Sequence, residues 1–378
     1  MSMASVSALG SSGGQIWAHY LTKNHSFKKQ SFKTFEALVS SVSTQDWITI
    51  NKLKESTHYK DLDPSVLLAI EVSRKAVAKV SWKDKSFGIN IGSSRGATTL
   101  FEKYHLEFLT NKKGNVSTLS SPTTTLGNIS SWVGHDLQSN GPTISHSIAC
   151  STALHAILNG IAWITSGMAN RFLVGGSEAS NTPFTIAQMR ALKIYSNDKS
   201  TYPCKTLDFN KKQNTMIVGE GAAVFCLEKG AKKNAIAVIE GIGYATEPLK
   251  HNISISANAD CFQKSMAMAI SAVELQDVDI IVMHAPGTIK GDASEYNAIK
   301  HLFKNKTPAL TSNKWKIGHT LGASGGLSLE LAIRMLQQQQ FISIPFLKDQ
   351  KHPNKIKKIL VNAVGFGGNA VSLLVSAE

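Results

Sequence analysis

The stretch TISHSIACSTALHAI (Thr143–Ile157) joins two periodicities at one cysteine. Before Cys150, Ile144, His146 and Ile148 fall on one face of a strand spanning Thr143 to Ile148. After it, Leu154, Ile157, Leu158, Ile161 and Ile164 recur at intervals of three and four, the pattern of a helix. Ala153, Ala162 and Trp163 are apolar as well, which predicts a helix buried on every side. A strand feeding a buried helix, with a reactive residue at the junction, is the arrangement of α/β proteins, whose sites gather at strand ends.

Working outward, the same order recurs. Phe87–Ile91 precedes Gly-Ser-Ser, Arg171–Val174 precedes Gly-Gly, and Val278–Met283 precedes His-Ala-Pro-Gly, each a buried strand followed by small residues. The strand at Ala222–Leu227 ends in a polar break, Glu228-Lys229-Gly230-Ala231-Lys232-Lys233, before the apolar run Ile236–Ile239. We place a boundary there, giving halves at 1–229 and 230–378. They share a faint pattern of strand, loop with a chemically capable residue, and long apolar helix, around Cys150 in one and His319 in the other. The run Gln337–Gln340 closes the helix that begins near Gly322, and the first strand is expected to be clipped, with Met1 not far from its middle.

A chain of 378 residues that is 42% hydrophobic and 17% charged can bury a large core. The start, Met1 to Gly14, lacks the layout of a signal peptide, and no apolar run is long enough to span a bilayer. Cys150, Cys204, Cys226 and Cys261 lie far apart without a CxxC pair, which points to reduced thiols in a cytoplasmic setting and away from a metal site. The net charge of +14 suggests an acidic partner. Lys28-Lys29, Lys112-Lys113, Lys232-Lys233 and Lys355–Lys358 are short clusters without aromatic interleaving, so solvated lysines explain them as well, and nucleic acid is not expected.

Four places carry candidate chemistry. Cys150 should sit at a helix N-terminus, where unpaired N–H groups and the dipole favour a thiolate. A buried cysteine is more often inert, so position alone leaves packing and catalysis both open. His155 is turned about 140° around the helix from Cys150 and cannot face the same point. His146, between two isoleucines, reads as a hydrogen-bonded core residue. His284 in VMHAPGTIKGD and His319 in SNKWKIGHTLGASGG lie in turns of small residues that let a substrate approach the backbone. In NAVGFGG, the glycines Gly365, Gly367 and Gly368 around Phe366 could turn main-chain N–H groups toward a ligand, or simply make a tight turn between the strands Lys358–Asn362 and Val371–Val375.

With ACSTALHAI, HAPGTIKGDASE, SNKWKIGHTLGASGG and GFGG in that order, the chain resembles the β-ketoacyl-acyl carrier protein synthase family, in its Cys-His-His branch, from about Val6 to the C-terminus. The resemblance implies a thiolase-like αβαβα fold of two similar halves and a homodimer, or a heterodimer with a chain-length-type subunit. It implies that Cys150 takes an acyl group from the phosphopantetheine arm of an acyl carrier protein, with no cofactor bound to the enzyme itself. The N–H groups of Cys150 and Phe366 would form the oxyanion hole, and His284 and His319 would hold the enolate of a decarboxylated malonyl-type extender. Lys314 matches the family's ordering lysine, Thr288 the second hydroxyl after the first histidine, and Lys60 and Lys205 fall near carrier-binding positions.

Three departures stand out. Ala285-Pro286 replaces the usual Gly-Thr, which removes a hydroxyl and an N–H and stiffens the loop. Ser328 stands where the family has a glutamate against the lysine. Glu330 is turned about 200° from that position, so Asp292 or Glu295 is expected to pair Lys314. Met189 stands where many members carry a phenylalanine over the acyl pocket, and a plain core methionine is an equal reading. These features lean toward a specialised polyene, pigment or polyketide-like pathway, with housekeeping fatty-acid elongation as the alternative. A non-catalytic chain-length subunit, or an acyltransferase to an alcohol or amine, would not need Cys150, His284, His319 and Lys314 together.

Overall fold

The computed structural model describes residues 2–82, 84–126, 128–230, 235–248 and 255–377. Ala231, Lys232 and Lys233 of the polar break lie outside them. The first half supplies strands β1 (Ser2–Val6), β2 (Lys28–Ser31), β3 (Glu36–Val39), β4 (Gly88–Gly92), β5 (Thr143–Ile144), β6 (Arg171–Glu178) and β7 (Gly221–Glu228). Its helices are α1 (Gly13–Leu21), α2 (Thr44–Asn51), α3 (Pro64–Val77), α4 (Thr98–Thr110), α5 (Ser120–Thr124), α6 (Asn128–Leu137), α7 (Thr152–Thr165) and α8 (Pro183–Ala191). The second half supplies β8 (Val238–Thr246), β9 (Ile280–Val282), β10 (Ala309–Thr311), β11 (Lys358–Gly365) and β12 (Asn369–Ser376). Its helices are α9 (Asp260–Ala269), α10 (Ile289–Phe303), α11 (Lys314–Ile317) and α12 (Ser324–Gln338).

Two five-stranded sheets result, ordered β5-β4-β6-β7-β1 and β10-β9-β11-β12-β8. In each, the first three strands are parallel and the last two pairings antiparallel. The faint repeat in the sequence is thus a repeated topology, with α7 following β5 as α12 follows β10. These two helices pack on each other and on both sheets, forming the middle layer. Strand periodicity sorts the side chains: Phe172 and Val174 of β6 join the central core, while Leu173 faces the outer core under α3 and α6. On β11, Ile359, Val361 and Ala363 point to the centre, and Leu360 and Val364 point toward α9 and α10. The layers are therefore α-β-α-β-α. Each fully buried Leu or Ile in them contributes roughly 1.5–3 kcal/mol.

Local chemistry sets the element ends. Asp63 accepts the N–H of Ser65 at 2.9 Å and Pro64 opens α3, a cap plus a residue pre-set for the first turn. The strand expected at Thr143–Ile148 stops at Ile144. There the Ser130 hydroxyl bonds the carbonyls of Ile144 (2.6 Å) and Ile91 (3.1 Å), and the Ser145 hydroxyl bonds Ile91 (3.1 Å), so side chains replace the ladder and the backbone leaves the sheet. Helix α7 is not buried all round: Ala162 is exposed and Leu158, Asn159, Ile161 and Trp163 are half-buried. β5 is an edge strand of the first sheet.

Candidate active site

The chain enters α7 through a strained turn. Ala149 has a φ of 45°, in the left-handed region that a non-glycine residue rarely adopts, and the N–H groups of Ser151 and Thr152 bond back to Ile148 (3.2 Å) and Ala149 (3.3 Å). Cys150 sits at the crest of this turn, two residues before the first helical residue, and is buried. The helix end does not make it a standing thiolate. Burial pushes the thiol up to about 12, with the Glu178 carboxylate adding to the effect, while Arg95 and Lys314 oppose it.

The GFGG turn lies directly against this crest. A Cβ added to Gly365 would meet the Ile148 carbonyl oxygen at 2.6 Å, Ala149 Cβ at 3.1 Å and Ser151 Oγ at 3.2 Å, so only glycine admits the contact. Gly367 and Gly368 have φ of 100° and 71°, and the Gly368 N–H closes the turn on Gly365 at 3.1 Å. The Phe366 ring projects outward, 46% exposed, and its N–H is engaged by none of the described hydrogen bonds.

The two histidines arrive from the second half. His319 is held by backbone pairing, its N–H on Ile217 at 2.7 Å and its carbonyl accepting Gly219 N–H at 3.0 Å. His284 is held by a carboxylate: Glu295 accepts the N–H groups of His284 (3.0 Å) and Ala285 (2.9 Å) and the Asn362 amide (3.1 Å). The two rings meet edge to face, centroids 5.1 Å apart, and both Nδ1 atoms are buried without a partner among the described residues. Burial lowers both imidazoles, His319 to about 3 with help from Lys314, and His284 well below the usual value with help from His319 and Lys314. Both are neutral near pH 7.

Lys314 is buried, and its amine bonds Asn313 Oδ1 at 3.1 Å and Ser328 Oγ at 3.3 Å. The expected ion pair with Asp292 or Glu295 is therefore corrected. Asp292 is held instead by Lys211, at 2.8 Å, and by the N–H groups of Gly287 (2.9 Å) and Leu207 (3.0 Å). Glu295 is spent on the His284 backbone and acts on Lys314 only through space, favouring its charge. Burial is the larger influence and brings Lys314 down to about 8. Glu330 points away, to Ser5 and Arg334.

Other expected residues have plainer surroundings. Thr288 caps α10, its oxygen accepting Gly291 N–H at 3.2 Å. Met189 is buried with Ile186, Tyr195, Met216 and Val218. Lys205 pairs with Asp198 at 2.8 Å, and its backbone N–H bonds Thr215, which in turn bonds Gly287 of the His284 loop; Lys60 is exposed before α3.

Sequence reasoning missed Glu178, at the end of β6. Its buried carboxylate accepts Ser93 Oγ (3.0 Å) and the N–H groups of Ser94 (2.8 Å), Arg95 (3.2 Å) and Gly322 (2.9 Å), tying the loop after β4 to the loop before α12. Burial raises it to about 7 against those four bonds. The available signal was a lone acidic residue closing the run Phe-Leu-Val-Gly-Gly-Ser. Lys211, also missed, makes a testable contact. Lys211→Met leaves the buried Asp292 charge unpaired and is expected to cost about 3–5 kcal/mol, read as a lower urea midpoint at unchanged slope.

The beta-ketoacyl synthase N-terminal domain family matches residues 25–233 and the beta-ketoacyl synthase C-terminal domain family residues 236–345. The 3-oxoacyl-[acyl-carrier-protein] synthase 2 of Coxiella burnetii is 26% identical over 98% of this chain and 96% of its own length. A beta-ketoacyl synthase structure from Burkholderia phymatum superposes with a TM-score of 0.87 over 100% of this chain and 98% of that one, at 21% identity. The ishigamide ketosynthase/chain length factor superposes at 0.85, with 17% identity and the same coverage. Together the two family models match well over half of the sequence: the chain belongs to the β-ketoacyl synthase family.

Proposed function

We propose that this protein is a condensing acyltransferase that joins an acyl group held on Cys150 to a malonyl-type extender, both delivered on the phosphopantetheine arm of an acyl carrier protein. The observation that carries the reading is the edge-to-face meeting of the His284 and His319 rings, centroids 5.1 Å apart and each Nδ1 without a partner among the described residues, near Lys314, whose charge acts on both histidines and on Cys150.

In the first step the Cys150 sulfur attacks the acyl thioester. A carbon–sulfur bond to Cys150 forms, the bond to the pantetheine sulfur breaks, and the thiol proton leaves with the departing pantetheine thiol. The main-chain N–H groups of Cys150 and Phe366 receive the oxyanion. In the second step the extender's carboxylate leaves as carbon dioxide, and its bonding electrons pass to an enolate whose oxygen takes N–H donors from His284 and His319. The enolate carbon then attacks the acyl–Cys150 carbonyl, forming a carbon–carbon bond, breaking the carbon–sulfur bond and releasing Cys150 as a thiolate, which takes a proton from solvent. Neutral histidines suit this role, because they stabilise developing negative charge by donation without first having to lose a proton. Lys314 orients them by charge, and Thr288, Met189, Gly365, Gly367 and Gly368 would line the approach of the arm and the acyl chain.

The charge of +14 suits an acidic carrier, with Lys205 and Lys60 as contact points. The edge strand β5 and the half-covered side of α7 suit pairing with a second copy, or with a chain-length-type subunit of the kind named in the ishigamide pair. Ala285-Pro286 and Ser328 favour a specialised pathway over housekeeping elongation. A panel of acyl and malonyl carrier-protein substrates, read by product mass, tests this: products two carbons longer are expected, and absence of any lengthened product overturns the reading.

A further inference from the structure

Lys316, two residues beyond Lys314, is 1% exposed and pairs with no carboxylate among the described residues. Its ammonium instead donates to four neutral oxygens at the end of α1 and just past it: the carbonyls of His19 (2.7 Å), Thr22 (2.8 Å) and Asn24 (2.8 Å), and Thr22 Oγ1 (3.1 Å). It also lies 4.7 Å from the centroid of the buried Trp315 ring. An ammonium has three N–H donors, so four acceptors satisfy all of them, with one donor shared between two oxygens. The negative end of the α1 dipole adds to the attraction.

The same segment holds the loop at two more points. The Ser26 N–H bonds the Lys316 carbonyl at 2.9 Å, and Phe27 packs against Gly318, where an added Cβ would lie 3.4 Å from its ring. Gly318 needs its φ of 67° and immediately precedes His319. α11 is a single turn, too short to hold its own geometry, and it carries Lys314 at one end and His319 just past the other.

We infer that Lys316 is a positioning residue, an internal cation that clamps residues 19–25 onto the 314–319 loop and so fixes His319 and Lys314 relative to Cys150. The inference rests on the proposed role of His319 in decarboxylation. Without the ammonium, the Thr22 and Asn24 carbonyls lose the donor that gathers them, the His19 carbonyl keeps only the Thr22 N–H and hydroxyl, and the loop relaxes away from the 314–319 segment. Displacements of about 1 Å at a reacting group cost on the order of 100-fold in rate.

The test uses the full chain with Lys316→Met, which keeps the stem and removes the charge, and Lys316→Ala, which leaves room for a small amine. Lys316→Met is expected to lower kcat for malonyl-carrier decarboxylation about 100-fold with KM within about threefold. Acylation of Cys150, which does not use His319 in this account, stays within about threefold. In Lys316→Ala, ethylammonium chloride is expected to restore at least about tenfold in kcat, whereas tetramethylammonium, a cation without donors, does not. Amide hydrogen exchange gives a readout independent of activity: residues 19–26 and 314–320 exchange at least about tenfold faster in Lys316→Met, and ethylammonium re-protects them in Lys316→Ala. Equal loss of acylation and decarboxylation, no amine rescue, or exchange unchanged from wild type overturns the clamp. Should the wild-type protein neither acylate nor condense, the proposed function has failed, and the exchange experiment alone still decides the clamp.

Discussion

Cys150→Ser is expected to lower condensation by about 10⁴-fold or more while leaving the fold intact. The oxygen is smaller than sulfur and meets the same turn, whose bonds from Ser151 and Thr152 run to carbonyls and not to the thiol. The hydroxyl, however, is a much weaker nucleophile than the thiol and has no close base in its place. The control is Cys204→Ala. Cys204 is also buried, and an added Cβ at Gly287 would lie 3.2 Å from its sulfur, so it borders the His284 loop. Its loss should leave acylation within about threefold, and burial holds its thiol up at about 12. Kinetics of acyl transfer for both variants separate a nucleophile from a thiol that is merely near the site.

The second large effect concerns the histidine pair. His284→Ala and His319→Ala are each expected to lower carbon dioxide release from the malonyl carrier by about 100- to 1000-fold, the usual loss for one donor to a developing oxyanion. The double variant should fall little further, because one donor cannot hold the enolate geometry alone and the pair acts as a unit. Cys150 acylation should persist in all three. A double variant that loses the full product of the single effects would mean the two rings act on separate steps.

Reading the chain as a sequence reached the layers and the site by different routes. Short-range patterns carried the strands and α7, because alternation and the three-four spacing are written within a dozen residues. Where a partner came from far along the chain, pattern was silent. Ser130 ends β5 early from a helix 14 residues before Ile144, and half-burial of α7 depends on what lies across its open side. Cys150, His284, His319 and the GFGG turn were legible because each sits in a cluster of small residues after an apolar strand. That they act together is what the resemblance to a family implies.

The Lys314 expectation went astray for a chemical reason. It assumed that a buried ammonium needs a carboxylate, whereas Asn313 and Ser328 satisfy it with neutral oxygens. The two carboxylates assigned to it are consumed by backbone N–H groups and by Lys211. Glu178, Lys211 and Lys316 escaped notice because each braces segments remote in sequence: 84 residues separate Glu178 from Ser94, and 294 separate Lys316 from Thr22.

The central claim is that Cys150 carries the acyl group between the two half-reactions. Intact-mass and peptide-mass measurement of the wild-type protein after incubation with acyl-loaded carrier protein tests it most directly. One acyl group is expected on the peptide containing Cys150, removed when malonyl-loaded carrier is added, with one carbon dioxide and a product two carbons longer. No adduct at Cys150, or an adduct that survives the malonyl carrier, would contradict it.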